Sequence, residues 1–88
     1  MSDRFLQNPR TAGRVIDGQA FVVTSDDNRI YTLNETGSLV WSLAETGCTE
    51  DEVTLAITHR YEVPPEAARA DARRFLDDLV ARSVLVRE

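Results

Sequence analysis

The sequence has no lysine, and it has only one cysteine, one histidine and four glycines among its 88 residues. The single cysteine, Cys48, cannot form an internal disulfide, which favours a reducing compartment. One Cys and one His cannot supply the roughly four nitrogen or sulfur ligands of a structural zinc site. The glycines are scattered singly, so no glycine-rich phosphate loop exists. The sequence therefore predicts neither a metal nor a cofactor.

Long apolar runs are also absent. No segment approaches the roughly 20 apolar residues that span a bilayer, and residues 1–10 lack the apolar region of a secretory signal. We therefore expect a cytoplasmic protein with no membrane partner. A chain of 88 residues is one small domain, with room for one modest hydrophobic core.

Basic residues are fewer than acidic residues. Fifteen acidic residues oppose ten basic residues, all of them arginine, and the net charge is -5. An acidic domain repels polyphosphate unless a local basic patch overcomes the overall field. The charge balance therefore argues against nucleic acid as a partner.

Residues 1–12 show no sustained periodicity and contain Asn8-Pro9. We predict that they form a flexible N-terminal arm, and that the folded domain covers residues 13–88.

The segment from Gly13 to Leu33 has the pattern of strands. A short apolar piece ends at Asp17-Gly18, a dipeptide typical of tight turns. The segments 19–24 and 29–33 follow, rich in β-branched and aromatic residues. Together they predict a three-stranded antiparallel meander.

Three helices are predicted next. Asn34 is a favourable N-cap for the first, and Thr49 with Glu52 forms a capping-box pattern for the second. The third is predicted over residues 66–82, followed by a short extended tail over residues 84–86. Three strands followed by three helices predict an α+β domain with the helices packed on one face of the sheet.

The candidate catalytic residues are isolated. His59 lies within the second predicted helix without an evident partner, which general base chemistry requires. Cys48 precedes a helix start, where a thiolate can be activated, but a small turn residue packed on the core is the simpler interpretation. We predict no catalytic residues, and we expect Cys48→Ser and His59→Ala to leave function nearly intact.

A DNA-binding winged helix is the alternative interpretation. The second and third helices could form a helix-turn-helix with Arg69, Arg73 and Arg74 on the recognition helix. Residues 66–82 carry four acidic residues against four arginines, however, and a helix without net charge is a poor DNA reader. A purely structural subunit of a larger enzyme is a third possibility.

A peptide-binding groove has more support. Arg69, Arg73, Leu76 and Val80 follow 4, 3, 4 spacing and share one shoulder of the third helix. A meander also leaves an edge strand with unpaired backbone groups, to which a peptide can add as a further strand. Periodicity alone supports equally well an alternative in which Leu76 and Val80 are core residues and the two arginines are solvated.

The order of these features resembles the PqqD-like family, named for a protein of pyrroloquinoline quinone biosynthesis. The resemblance covers residues 13–86 and is carried by the segments Tyr31–Trp41, Gly47–Thr49, Ala70–Ala72, Phe75–Leu79 and Val84–Val86. Ser83 departs from the pattern, since the family often has glycine there.

The resemblance implies a winged-helix-like peptide chaperone without enzymatic activity, which binds the leader of a ribosomally made precursor peptide. It implies presentation of the precursor to a modifying enzyme, such as a radical SAM enzyme or a leader peptidase, in pyrroloquinoline quinone or lasso-peptide synthesis. We expect a monomer or weak dimer. The peptide-binding residues carried over are Arg29, Ile30, Tyr31, Thr32 and Leu33 on the edge strand, walled by Arg69, Arg73, Leu76 and Val80.

Overall fold

The computed structural model describes residues 3–25 and 28–88. Within these residues the strands are β1 (Arg4–Gln7), β2 (Thr11–Ile16), β3 (Gln19–Thr24), β4 (Arg29–Thr32), β5 (Cys48–Thr49) and β6 (Leu85–Arg87). The helices are α1 (Glu35–Leu43), α2 (Glu50–Tyr61) and α3 (Pro65–Ala81). The strands form two antiparallel sheets, of order β5-β1-β6 and β2-β3-β4. No helix in the described part of the chain is long and apolar enough to span a membrane.

The predicted meander is confirmed as the sheet β2-β3-β4. The β2–β3 pairing runs from Thr11 opposite Thr24 to Ile16 opposite Gln19. Asp17 and Gly18 join these strands with φ values of 52° and 79°, the left-handed backbone that a two-residue hairpin turn requires. The α+β class, with a meander followed by three helices, is therefore confirmed, and it is compatible with a winged-helix-like description.

The helix starts follow the predicted capping chemistry. The Asn34 side chain accepts a hydrogen bond of 2.8 Å from the Gly37 N–H at the start of α1. At the start of α2, the Thr49 hydroxyl accepts from the Glu52 N–H at 3.2 Å, and the Glu52 carboxylate accepts from the Thr49 N–H at 2.8 Å. These bonds satisfy N–H groups that have no partner within the helix.

The core lies between the helices and one face of the meander. Ala20 and Val22, alternate residues of β3, are fully buried and face α1. Gly13 lies opposite Val22, and a Cβ added there would lie 2.8 Å from Cζ2 of Trp41. Glycine at this position therefore lets the Trp41 ring pack directly against the β2 backbone.

The predicted flexible arm is wrong for residues 3–12. β1 is the central strand of the sheet β5-β1-β6, and Phe5 is buried in the core. Its partners lie far along the sequence, because β1 pairs with Cys48–Thr49 and with Leu85–Arg87. A four-residue strand carries too little periodicity to be recognised without those partners. Met1 and Ser2, also in the predicted arm, lie outside the described residues.

Candidate functional site

The free edge of β4 is the first component of the site. β4 is an outer strand of the sheet β2-β3-β4. The Leu33 N–H donates to the Ala20 carbonyl at 2.9 Å, and residues of an antiparallel strand alternate in the direction of their backbone groups. Tyr31 therefore faces β3, whereas Ile30 and Thr32 direct N–H and C=O groups away from the sheet. These groups are positioned to pair with an added strand.

A groove lies directly beside this edge, between β4 and the C-terminal half of α3. We call it the β4–α3 groove. Its volume is about 200 Å³, and its lining residues are Thr32, Leu33, Asn34, Gly37, Phe75, Asp78, Leu79 and Arg82. Leu33 and Leu79 are buried and Phe75 is half-buried. The groove therefore combines apolar side chains with polar ones next to unpaired strand backbone.

One ion pair borders the groove. Arg82 contacts Asp78 at 3.0 Å, and the guanidinium carbon of Arg82 lies 5.5 Å from the centroid of the Tyr31 ring. This distance suits a cation–π contact, which connects the end of α3 to β4. The border of the groove is thus charge-balanced rather than strongly cationic.

The two arginines predicted to wall the groove face α2 instead. Arg69 contacts Glu50 at 2.7 Å and Asp51 at 2.8 Å, and Arg73 contacts Glu50 at 3.1 Å. The hydrogen bonds that Arg69 donates to Asp51 and, with a smaller effect, to Glu50 raise the pKa of its guanidinium. These two side chains therefore neutralise the acidic first turn of α2.

The two apolar residues of the predicted wall belong to the core. Leu76 is 1% exposed and Val80 packs against the core cluster. None of Arg69, Arg73, Leu76 and Val80 lines the β4–α3 groove, so the geometry gives the predicted wall no support. Thr32 and Leu33, from the predicted edge strand, do line the groove, and so does Asn34, the predicted N-cap. From α3 and its C-cap, the lining residues are Phe75, Asp78, Leu79 and Arg82, none of which was predicted as a site residue.

Cys48 and His59 lie in different environments. Cys48 is 2% exposed in β5, and burial, followed by the charge of Glu52, raises the pKa of its thiol to about 11 against a smaller opposing effect of Arg4. A thiol that holds its proton is a poor nucleophile. His59 is exposed on α2.

In the ranges 3–25 and 28–88, no group of three or more His, Cys, Asp or Glu residues could hold a metal ion.

The arginines of α3 and its C-cap are all neutralised by carboxylates. Arg69 and Arg73 contact residues of α2, Arg74 contacts Asp71, and Arg82 contacts Asp78. A DNA-recognition helix needs basic groups that are free to reach phosphates and bases. The geometry of α3 therefore opposes the helix-turn-helix interpretation.

One protein-family model matches most of the chain. The family model for "Coenzyme PQQ synthesis protein D (PqqD)" matches residues 5–85. The chain belongs to the PqqD family. No curated protein matches it.

Two solved structures share the fold of this PqqD-family chain. The structure of TbiB1 in complex with the TbiA(beta) leader peptide superposes with a TM-score of 0.84 at 26% identity, over 91% of this chain and 93% of TbiB1. The structure of lasso peptide synthetase B1 complexed with the leader peptide gives a TM-score of 0.81 at 20% identity, over 93% of this chain and 96% of that one. At 20% identity the second likeness establishes the fold alone.

Proposed function

We propose that this PqqD-family chain is a non-enzymatic adaptor that binds the leader of a ribosomally synthesised precursor peptide and presents it to a modifying enzyme. Family membership supports the proposal, as does the similarity to TbiB1, which has a structure with a leader peptide. The observation that carries it is the open backbone edge of Ile30 and Thr32 beside the β4–α3 groove, where Phe75 lies among polar residues.

The leader would add to β4 as a fourth strand of the sheet β2-β3-β4. Each backbone hydrogen bond stabilises the complex by only about 0.5–1.5 kcal/mol, whereas micromolar affinity needs about 8 kcal/mol. Backbone pairing to two residues is therefore insufficient. Apolar leader side chains must add to it, and alternate residues of an added strand would reach Leu33, Phe75 and Leu79 in the groove.

The adaptor's partner would be an enzyme that acts on the bound precursor, such as a radical SAM enzyme or a leader peptidase. The TbiB1 likeness supports a leader-dependent pathway, of the kind that produces lasso peptides or pyrroloquinoline quinone. The adaptor itself would supply no reacting group, which is consistent with a buried Cys48 whose thiol pKa is raised to about 11.

Fluorescence anisotropy tests the proposal with two labelled ligands: a candidate leader, taken from short precursor-like reading frames near this chain's gene, and a DNA duplex. We expect micromolar binding of the leader and no specific binding of the duplex. Phe75→Ala should weaken leader binding roughly tenfold by removing an apolar anchor. Arg73→Glu should leave leader affinity within about twofold, since Arg73 contacts Glu50 outside the groove.

Circular dichroism of each variant verifies the fold, because Arg73→Glu also places two carboxylates together. Salt-sensitive duplex binding without leader binding would overturn the adaptor proposal. If a folded Arg73→Glu variant loses leader binding while Phe75→Ala retains it, the leader binds on the α2–α3 side instead.

A further inference from the structure

The sheet β2-β3-β4 has a second face, which points away from the helices. The register places Arg14, Phe21 and Thr32 in one row across the three strands, and Ala12, Val23 and Ile30 in the next. Ile16 lies on the same side, opposite Gln19. We call this surface the open sheet face.

The open sheet face exposes large apolar side chains next to one another. Ile16, Val23 and Ile30 are 49%, 41% and 70% exposed, and Val23 lies directly opposite Ile30. Single exposed apolar residues are ordinary, but contiguous ones rimmed by polar groups mark interaction sites. Leu55 on α2 is 60% exposed as well, but it lies away from this sheet.

Arg14 is the one charged residue in these rows. Within residues 3–25 and 28–88 no carboxylate forms an ion pair with it, whereas Arg69, Arg73 and Arg82 are all paired. The open sheet face therefore combines apolar side chains with an arginine that has no carboxylate partner among the described residues, on a chain with net charge -5. The face is thus complementary to an apolar surface that carries a carboxylate.

The open sheet face is also continuous with the proposed leader site. A leader strand added to β4 would direct alternate side chains to each side of the sheet. One set enters the β4–α3 groove, and the other set extends the row that contains Ile30 or Thr32. A protein that lies on this face would therefore contact the adaptor and the bound leader together.

We propose that the open sheet face docks the enzyme that acts on the precursor, a folded protein that presents an apolar patch and a carboxylate to Arg14. This inference rests on the proposed leader binding. A second copy of this chain fits less well, because two-fold pairing of the face would bring two Arg14 side chains together without a carboxylate in the rows. The leader-bound adaptor would bind the enzyme more tightly than the free adaptor does.

The test uses the full chain, the leader and the precursor-modifying enzyme encoded beside this gene. Biolayer interferometry measures enzyme binding to the leader-loaded chain, and calorimetry measures leader binding. The variant Arg14→Glu/Val23→Thr keeps a β-branched residue in β3 while it reverses the charge and reduces the apolar surface. We expect enzyme affinity to fall at least about tenfold and leader affinity to stay within about twofold. Leu55→Thr, the matched control on α2, should change neither.

Each outcome decides the inference. If the chain binds the leader but does not bind the enzyme, the docking proposal is overturned and the adaptor proposal stands. The same conclusion follows if the double variant binds the enzyme as tightly as the unmodified chain does. If the unmodified chain does not bind the leader, the adaptor proposal itself is overturned. If light scattering shows that the double variant differs from the unmodified chain in oligomeric state while its enzyme affinity is unchanged, the open sheet face serves self-association. If the double variant fails to fold, Arg14→Gln provides the same test, since its side chain is exposed and has no ion pair to lose.

Discussion

At the scale of the residue, Cys48 shows how environment decides chemistry. The thiol lies in β5 beside Phe5 and is 2% exposed. Burial disfavours the thiolate, the carboxylate of Glu52 opposes it further, and the pKa rises to about 11. The same residue in an exposed position before a helix would be a candidate nucleophile. Here its side chain fills core volume.

The raised pKa predicts a loss of stability at high pH. The unfolded thiol has a pKa near 9.0 and the folded thiol near 11. Between these values the unfolded chain releases a proton that the folded chain retains, so the free energy of unfolding should fall as pH rises, by at most about 2.7 kcal/mol. Urea denaturation below pH 9 and near pH 11 measures this.

The control is Cys48→Ala, which should lose less stability over the same pH range while being less stable at neutral pH, since it leaves a small cavity. Parallel stability–pH curves for the two proteins would show that the thiol does not titrate as expected. Leader affinity should be nearly unchanged in Cys48→Ala and in His59→Ala.

At the scale of the element, the two edges of the meander are equivalent in backbone chemistry but differ in surroundings. Ala20 directs its N–H to Ser38 at 2.7 Å and its carbonyl to Leu33. Val15, opposite Ala20 on β2, therefore has an N–H that points away from β3, as the Thr32 N–H does. A second groove, lined by Val15 and Leu39 among other residues, borders the β2 edge, so the proposed pairing of the leader with β4 needs a test that compares the two edges.

This equivalence gives a matched pair of proline variants. Proline is tolerated on an edge strand where the lost N–H faces solvent. We expect Thr32→Pro and Val15→Pro to lower the melting temperature by similar amounts. Thr32→Pro alone should weaken leader binding, roughly two- to tenfold, because it removes one backbone donor. Calorimetry measures the affinities. Equal weakening by both variants would contradict pairing at β4.

At the scale of the whole molecule, the N-terminal segment joins the helices to the chain's end. The Gln7 N–H donates to Ala44 at 3.1 Å, and the Gln7 side chain donates to the Trp41 carbonyl at 2.9 Å. The Asn8 N–H donates to Val84 at 3.0 Å. With β1 between β5 and β6 and Phe5 buried in the core, this segment is an integral part of the fold.

This arrangement predicts that the segment is required for stability. Phe5→Ala should lower the free energy of unfolding by about 3 kcal/mol, since it deletes a buried aromatic side chain from the core. Leu55→Ala, at a position that is 60% exposed, should change it by less than about 0.5 kcal/mol. Urea unfolding followed by circular dichroism gives both values. Equal, small effects would restore the interpretation of residues 1–12 as a dispensable arm.

The amino-acid sequence by itself determined the local structure. The turn at Asp17-Gly18, the cap at Asn34 and the capping box at Thr49 act between residues a few positions apart. Such chemistry is readable without the rest of the fold. It located the meander, the helices and the β4 edge, and the order of these features carried the resemblance to the PqqD family.

Only the tertiary structure decided what those elements face. β1 exists as a strand because β5 and β6, distant in sequence, supply its hydrogen bonds. Periodicity grouped Arg69 and Arg73 correctly on one shoulder of α3. The rotation of α3 about its axis, however, is set by core packing and by the carboxylates of α2. That rotation turned the shoulder toward α2 and placed Phe75 and Arg82 beside β4, because contacts across the core are not encoded in local spacing.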